Sequence, residues 1–140
     1  MIYLLDTNVI SELRKRRPHG AVSAWLRSLR DQDIQIPAVA IAELQNGAEL
    51  TRKQDQAKAH ELEQWIDRIM ATFVVLPMDG SMFREWARLM SRKSDDLATD
   101  AMIAATARVM GLTVATRNIK HFTVFRVPVF NPFTYKETLE

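Results

Sequence analysis

The chain alternates short apolar runs with longer stretches in which apolar residues recur every three or four positions. Ile2-Tyr3-Leu4-Leu5 is the first run, too brief for a helix and of the kind found in a strand buried on both faces. Val9, Ile10 and Leu13 then take helical spacing, and Thr7 and Asn8 can both cap that helix. Val22, Trp25, Leu26 and Leu29 predict an amphipathic helix over 21–29, followed by a strand over 34–36 that Pro37 stops. Val39, Ile41, Ala42, Leu44 and Ala48 give a third helix, while the polar stretch 51–56 suits either a loop or an exposed helical continuation. Leu62, Trp65, Ile66 and Ile69 define a strongly periodic helix, with Lys58, Glu61 and Glu63 on its outer side.

The second half repeats the alternation. Residues 73–76 form a β-branched run closed by Pro77, and Asp79 is placed to cap a helix whose inward face is Met82, Phe83, Trp86, Leu89 and Met90. Ser94-Asp95-Asp96 opens an alanine-rich helix over 97–110, which Gly111 closes at the position that favours a left-handed residue. Residues 112–115 predict a fourth strand with Thr116-Arg117-Asn118 at its end, and 126–130 a short fifth before the Asn131-Pro132 turn and a polar tail. Strands alternating with helices imply an α/β domain built on a mostly parallel sheet of four to five strands, covered on both faces. No repeat or linker divides residues 1–140, so a single domain is expected.

Composition changes this picture only by exclusion. Hydrophobic content of 47% and charged content of 26% are those of a globular chain. No apolar run approaches a bilayer span, nothing at the N-terminus reads as an export signal, and no membrane partner is expected. With zero cysteines there are no disulfides, thiolate metal sites or cysteine nucleophiles, and the cytoplasm is the default location. The net charge is only +2 although the pI is about 9.2, and the one dense basic block is Arg14-Lys15-Arg16-Arg17. That block reads equally as a solvated helix end or as a contact for phosphates.

Candidate chemistry rests on acids in apolar settings. Asp6 ends a buried strand, at the kind of strand-to-helix junction where open α/β sheets place ligands. Glu43 lies between Ala42 and Leu44, and Asp100 shares a helix face with Ile103, Ala104 and Ala107. A buried charge costs several kcal/mol unless partnered, and no basic residue stands within these motifs. Convergence on a cation follows, with oxygen donors suiting Mg²⁺ or Mn²⁺ better than zinc. Each acid also has a plainer role: Asp6 as a helix cap, Glu43 in one ion pair, Asp100 as a first-turn acid favoured by the helix dipole. Asp96, four residues before Asp100, reads as a cap. His60 reads as an exposed residue, and His121, near Asn118, as either a substrate contact or, more readily, a surface or packing residue. Four glycines supply no phosphate-cradling loop, and no serine lies in a nucleophile elbow.

Together these stretches resemble a known family. LLDTNVISEL at the start, Ile41-Ala42-Glu43-Leu44 with Gly47, the Thr99–Ala107 segment around Asp100, and Ala115-Thr116-Arg117-Asn118 followed by Phe122 and Asn131-Pro132-Phe133 look like a PIN domain. The likeness is to the VapC-like toxins of bacterial type II toxin–antitoxin pairs, including the FitB-like branch. It implies a three-layer α/β/α sandwich and a Mg²⁺- or Mn²⁺-dependent endoribonuclease. It also implies a homodimer, inhibition by a VapB-like antitoxin, and operator DNA bound only through that antitoxin. By motif, Asp6, Glu43 and Asp100 match the acidic metal positions, Asn118 a fourth position, and Thr116 a supporting hydroxyl. Asn8, Arg117 and Lys120 stand beside them as substrate contacts. Members of this branch often carry Asp where His121 stands, which leaves fewer charges here for a second ion. A binding-only PIN-like module is an alternative against which the intact, mutually repelling acids argue, and a metal-dependent phosphatase or a DNA nuclease would use the same acids. An aspartyl-nucleophile phosphatase, however, wants a second acid where Asn8 stands.

Overall fold

The computed structural model describes residues 1–137. Among these residues five strands form one sheet: β1 (Tyr3–Leu5), β2 (Ile34–Pro37), β3 (Val74–Leu76), β4 (Thr113–Ala115) and β5 (Val129–Phe130). All pairings are parallel and the order is β3-β2-β1-β4-β5. The chain therefore builds outward from β1 on one side, then crosses to the other. The topological switch falls between β1 and β4, where ligand crevices of open sheets lie.

Among the described residues seven helices accompany the sheet: α1 (Thr7–Ile10), α2 (Gly20–Arg27), α3 (Ala38–Arg52), α4 (Gln56–Thr72), α5 (Gly80–Met90), α6 (Ala98–Met110) and α7 (Ile119–Thr123). Strand residues alternate between two cores, as the two-residue period requires. Leu5, Ile34 and Ile36 face one side with Val22, Trp25, Trp65 and Ile66. Leu4 and Val114 face the other with Ala101, Ile103, Ala104 and Phe122. The alanines of α6 have no long side chains to hold the helix off the sheet, so its backbone packs closely. Gly111 then ends α6 at φ 68°.

Several expectations are corrected. The first helix runs only four residues before tightening into a 3-10 turn over Ser11–Arg14, and its cap is Asp6, which accepts from the Thr7 N–H. Ser94, not Asp96, caps the 3-10 turn before α6. The polar stretch 51–56 is neither wholly loop nor wholly helix: α3 runs through Arg52, and Asp55 caps α4. Glu63 lies in the α3–α4 seam, paired with Arg52, rather than on the outer side. Trp25, Trp65 and Ile66, the large apolar residues of two helices, are buried, and Leu26 packs against the same core. Phe83 is instead 46% exposed, so α5 presents less of its apolar stripe than its spacing suggests. Among the described residues, no helix is long and apolar enough to cross a membrane.

Candidate metal centre

Register builds the site. Leu5 pairs with Ala115, so the next residues, Asp6 and Thr116, emerge side by side at the carboxyl ends of β1 and β4. The Asp6 N–H donates to the Ala115 carbonyl at 2.9 Å, and the Thr116 hydroxyl donates to Asp6 Oδ2 at 2.8 Å. The Thr7 N–H donates to Asp6 Oδ1 at 2.8 Å, and the Asn8 amide to Oδ2 at 3.2 Å. The Asp6 carboxylate is thus aimed by three neighbouring donors while the residue is only 5% exposed.

Its electrostatics follow from that burial. Burial pushes the Asp6 carboxyl up; the Thr116 hydroxyl and Thr7 N–H pull it down; the charges of Asp100 and Glu43 push it up again, leaving it at about 6. A buried acid hydrogen-bonded on both oxygens yet raised this far lacks positive charge. Oxygen donors around an acid in that condition fit a hard divalent cation.

Glu43 stands on the second turn of α3 and is exposed, contrary to the buried setting its sequence neighbours suggest; Ala42 beside it is exposed as well. The Thr7 hydroxyl donates to Glu43 Oε1 at 2.6 Å, tying α3 to the residue after Asp6. Asp100, in the first turn of α6, is met by His121 from α7, with Nδ1 and Oδ2 3.0 Å apart. The Asn118 N–H donates to the Thr116 hydroxyl at 2.9 Å, but its amide makes no hydrogen bond among the described residues. The Arg117 N–H donates to Asn8 Oδ1 at 3.2 Å, and its guanidinium lies 3.9 Å over the Phe133 ring. Lys120 is exposed on α7. As the side chains stand, no three acids or histidines among the described residues close around a single point.

Three participants escaped the sequence. Thr7 caps nothing and instead bridges Asp6 to Glu43. His121 reaches Asp100 because a five-residue helix turns it back over the sheet edge. Glu12 is buried without belonging to the acid cluster: it accepts from the His19 N–H at 2.8 Å and pairs with Lys15. The only signal in sequence for Glu12 was its i, i+3 spacing from Lys15.

This sheet order, with its acid edge at the switch point, is that of a PIN domain, and the chain belongs to the PIN domain family, whose profile matches residues 3–125. It is 39% identical over 136 residues to toxin FitB of Neisseria gonorrhoeae, covering 93% of this chain and 97% of that one. It is 35% identical over 136 residues to VapC ribonuclease Y4jK of Sinorhizobium fredii, covering 93% and 96%. A solved structure of FitAB bound to a DNA fragment superposes with a TM-score of 0.84 at 34% identity, covering 97% of this chain and 99% of that one.

Proposed function

We propose that this protein is the toxin of a bacterial type II toxin–antitoxin pair, a Mg²⁺- or Mn²⁺-dependent endoribonuclease that hydrolyses RNA phosphodiesters, with residues 1–140 acting as one domain. The observation that carries the reading is Asp6, a buried acid raised to about 6 at the sheet's switch point, in a chain similar over nearly its whole length to FitB and VapC proteins. Asp6, Glu43 and Asp100 would hold the ion. When bound, the ion would acidify the attacking water and neutralise charge building on the phosphate.

The remaining chemistry belongs to the chain. Thr116, Thr7 and Asn8 fix the direction of the Asp6 carboxylate, so its approach to the ion needs little reorganisation. Thr116 also accepts from the Asn118 N–H, which closes the β4–α7 turn on the same hydroxyl that meets Asp6. Arg117 and Lys120 flank the edge and supply charge for phosphates on either side of the scissile bond, where position rather than base identity is set. A recess of about 270 Å³ beside Glu43 is walled by Leu44, Leu62, Trp65 and Ile66, with Arg14 at its rim. Its apolar wall next to an acid suits a VapB-like antitoxin segment carrying a basic residue toward the cluster. Operator DNA would be reached through that antitoxin, and a second copy of this chain would complete a homodimer in the cytoplasm.

Incubation of the purified protein with labelled RNA or DNA, with Mg²⁺, Mn²⁺ or chelator, tests the reading. RNA is expected to be cut only with an added ion and not by Asp6→Ala. Millimolar Mn²⁺ should raise the melting temperature of the native protein but not of that variant. Cutting of DNA alone, or ion-independent cutting, would overturn it.

A further inference from the structure

The fourth donor at this acid edge is a nitrogen. His121 sits in α7 with its side chain 52% exposed, while that of Asp100 is 20% exposed. Nδ1 and Asp100 Oδ2 are 3.0 Å apart. That spacing makes a hydrogen bond in the absence of an ion. It also equals the separation of two neighbouring vertices around an octahedral ion with bonds of about 2.1 Å, since that edge is about 1.4 times the bond. Nδ1 and Oδ2 thus stand at the spacing of two donors to one ion. The other imidazoles are engaged or remote. His19 Nδ1 accepts from the Ala21 N–H and its ring packs against Phe133, and His60 is exposed on α4.

We propose that His121 is a ligand of the cation held by Asp6, Glu43 and Asp100, and that it makes this site select first-row transition ions such as Mn²⁺ or Co²⁺ over Mg²⁺. The inference rests on the reading of the acids as a cation site. Its chemical basis is that Mg²⁺ is served by oxygen alone. Imidazole nitrogen favours transition ions, with affinity rising from Mn²⁺ to Co²⁺ and Ni²⁺. An acid at position 121 would give an all-oxygen set and abolish the bias.

The test uses the full chain stripped of metal, with the ions alone as probes. Calorimetric titration with Mg²⁺, Mn²⁺ and Co²⁺ is run on the native protein, His121→Asp and His121→Gln, alongside a melting curve in chelator to confirm that each variant is folded. The Co²⁺-to-Mg²⁺ affinity ratio is expected to fall about tenfold or more in both variants, the scale on which a histidine partner matters. Pulsed electron paramagnetic resonance of the Mn²⁺-loaded native protein should show coupling to an imidazole nitrogen. That coupling should be absent in His121→Asp and retained in His60→Ala. Ion binding without nitrogen coupling, or with an unchanged ratio in both variants, would overturn the assignment and leave His121 a positioning residue for Asp100, with the acid site intact. Failure of every ion to bind the native protein would overturn the acid site as well.

Discussion

Asp6 and Glu12 are six residues apart, and both are buried, at 5% and 4% exposure, yet their environments drive them in opposite directions. Burial pushes Glu12 up too, but the Lys15 ammonium, the His19 N–H and the charge of Arg117 overcome it and hold the carboxyl below its ordinary range. Asp6 receives only neutral donors and faces two more acids, and it stays raised. Burial alone therefore does not mark a functional acid; burial without a compensating cation does. Glu12 is satisfied by the chain and ties the basic loop after the 3-10 turn to the opening helix. Asp6 is left for a charge that the chain does not contain.

The largest expected effect breaks the comparison on the Asp6 side. Asp6→Ala should reduce RNA cleavage by more than about 100-fold, beyond the range of outer-partner losses, while Glu12→Gln should leave the dependence on added ion in place. Initial rates on one labelled RNA with an ion titration check both. Thr116→Val should cost about 10- to 100-fold in the same assay, because the hydroxyl that aims Asp6 Oδ2 is gone. It should also cost about 1–3 kcal/mol in urea unfolding, since the Asn118 N–H loses its acceptor. On the other side, Glu12→Gln should destabilise by about 1–3 kcal/mol through weakened bonds to the His19 N–H and Lys15.

The smallest effect is in pH dependence. Glu12 is lowered in the folded state, so its stabilisation is fully present above the unfolded carboxylate's value near 4.5 and is lost as pH falls through the lower folded value. Melting temperatures recorded from pH 7 down to 3 should therefore drop less steeply in Glu12→Gln than in the native protein. Parallel curves would remove Glu12 from the comparison.

Most of the architecture is legible in the sequence alone. Short apolar runs ended by Pro37 and Pro77, alanine-rich 97–110 closed by Gly111, and an acid after the first strand are local signals, and each acts within a few residues of itself. A mostly parallel sheet of four to five strands follows from their alternation with helices; the sheet has five, all parallel. The strand ends, by contrast, slipped by a residue or more, and α1 was overestimated because a helical spacing of three apolar residues says nothing of where the backbone tightens.

What tertiary structure alone decided concerns pairs distant in sequence. That Asp6 meets Thr116 is a consequence of β1–β4 register, 110 residues apart, and no spacing rule reaches that far. Glu43 looked buried from Ala42 and Leu44, but the outward face of α3 carries it, since a helix neighbour in sequence points about 100° away. Trp25 and Trp65, on helices far apart in sequence, fill the same core beside the sheet. His121 looked peripheral until α7 turned it onto Asp100. Sequence by itself specifies periodicity, caps, breaks and the inventory of acids, because those are set by each residue's own neighbours. Which acids share a site, and which one lacks a cation, depends on packing across the sheet, where charge is felt through space and not along the chain.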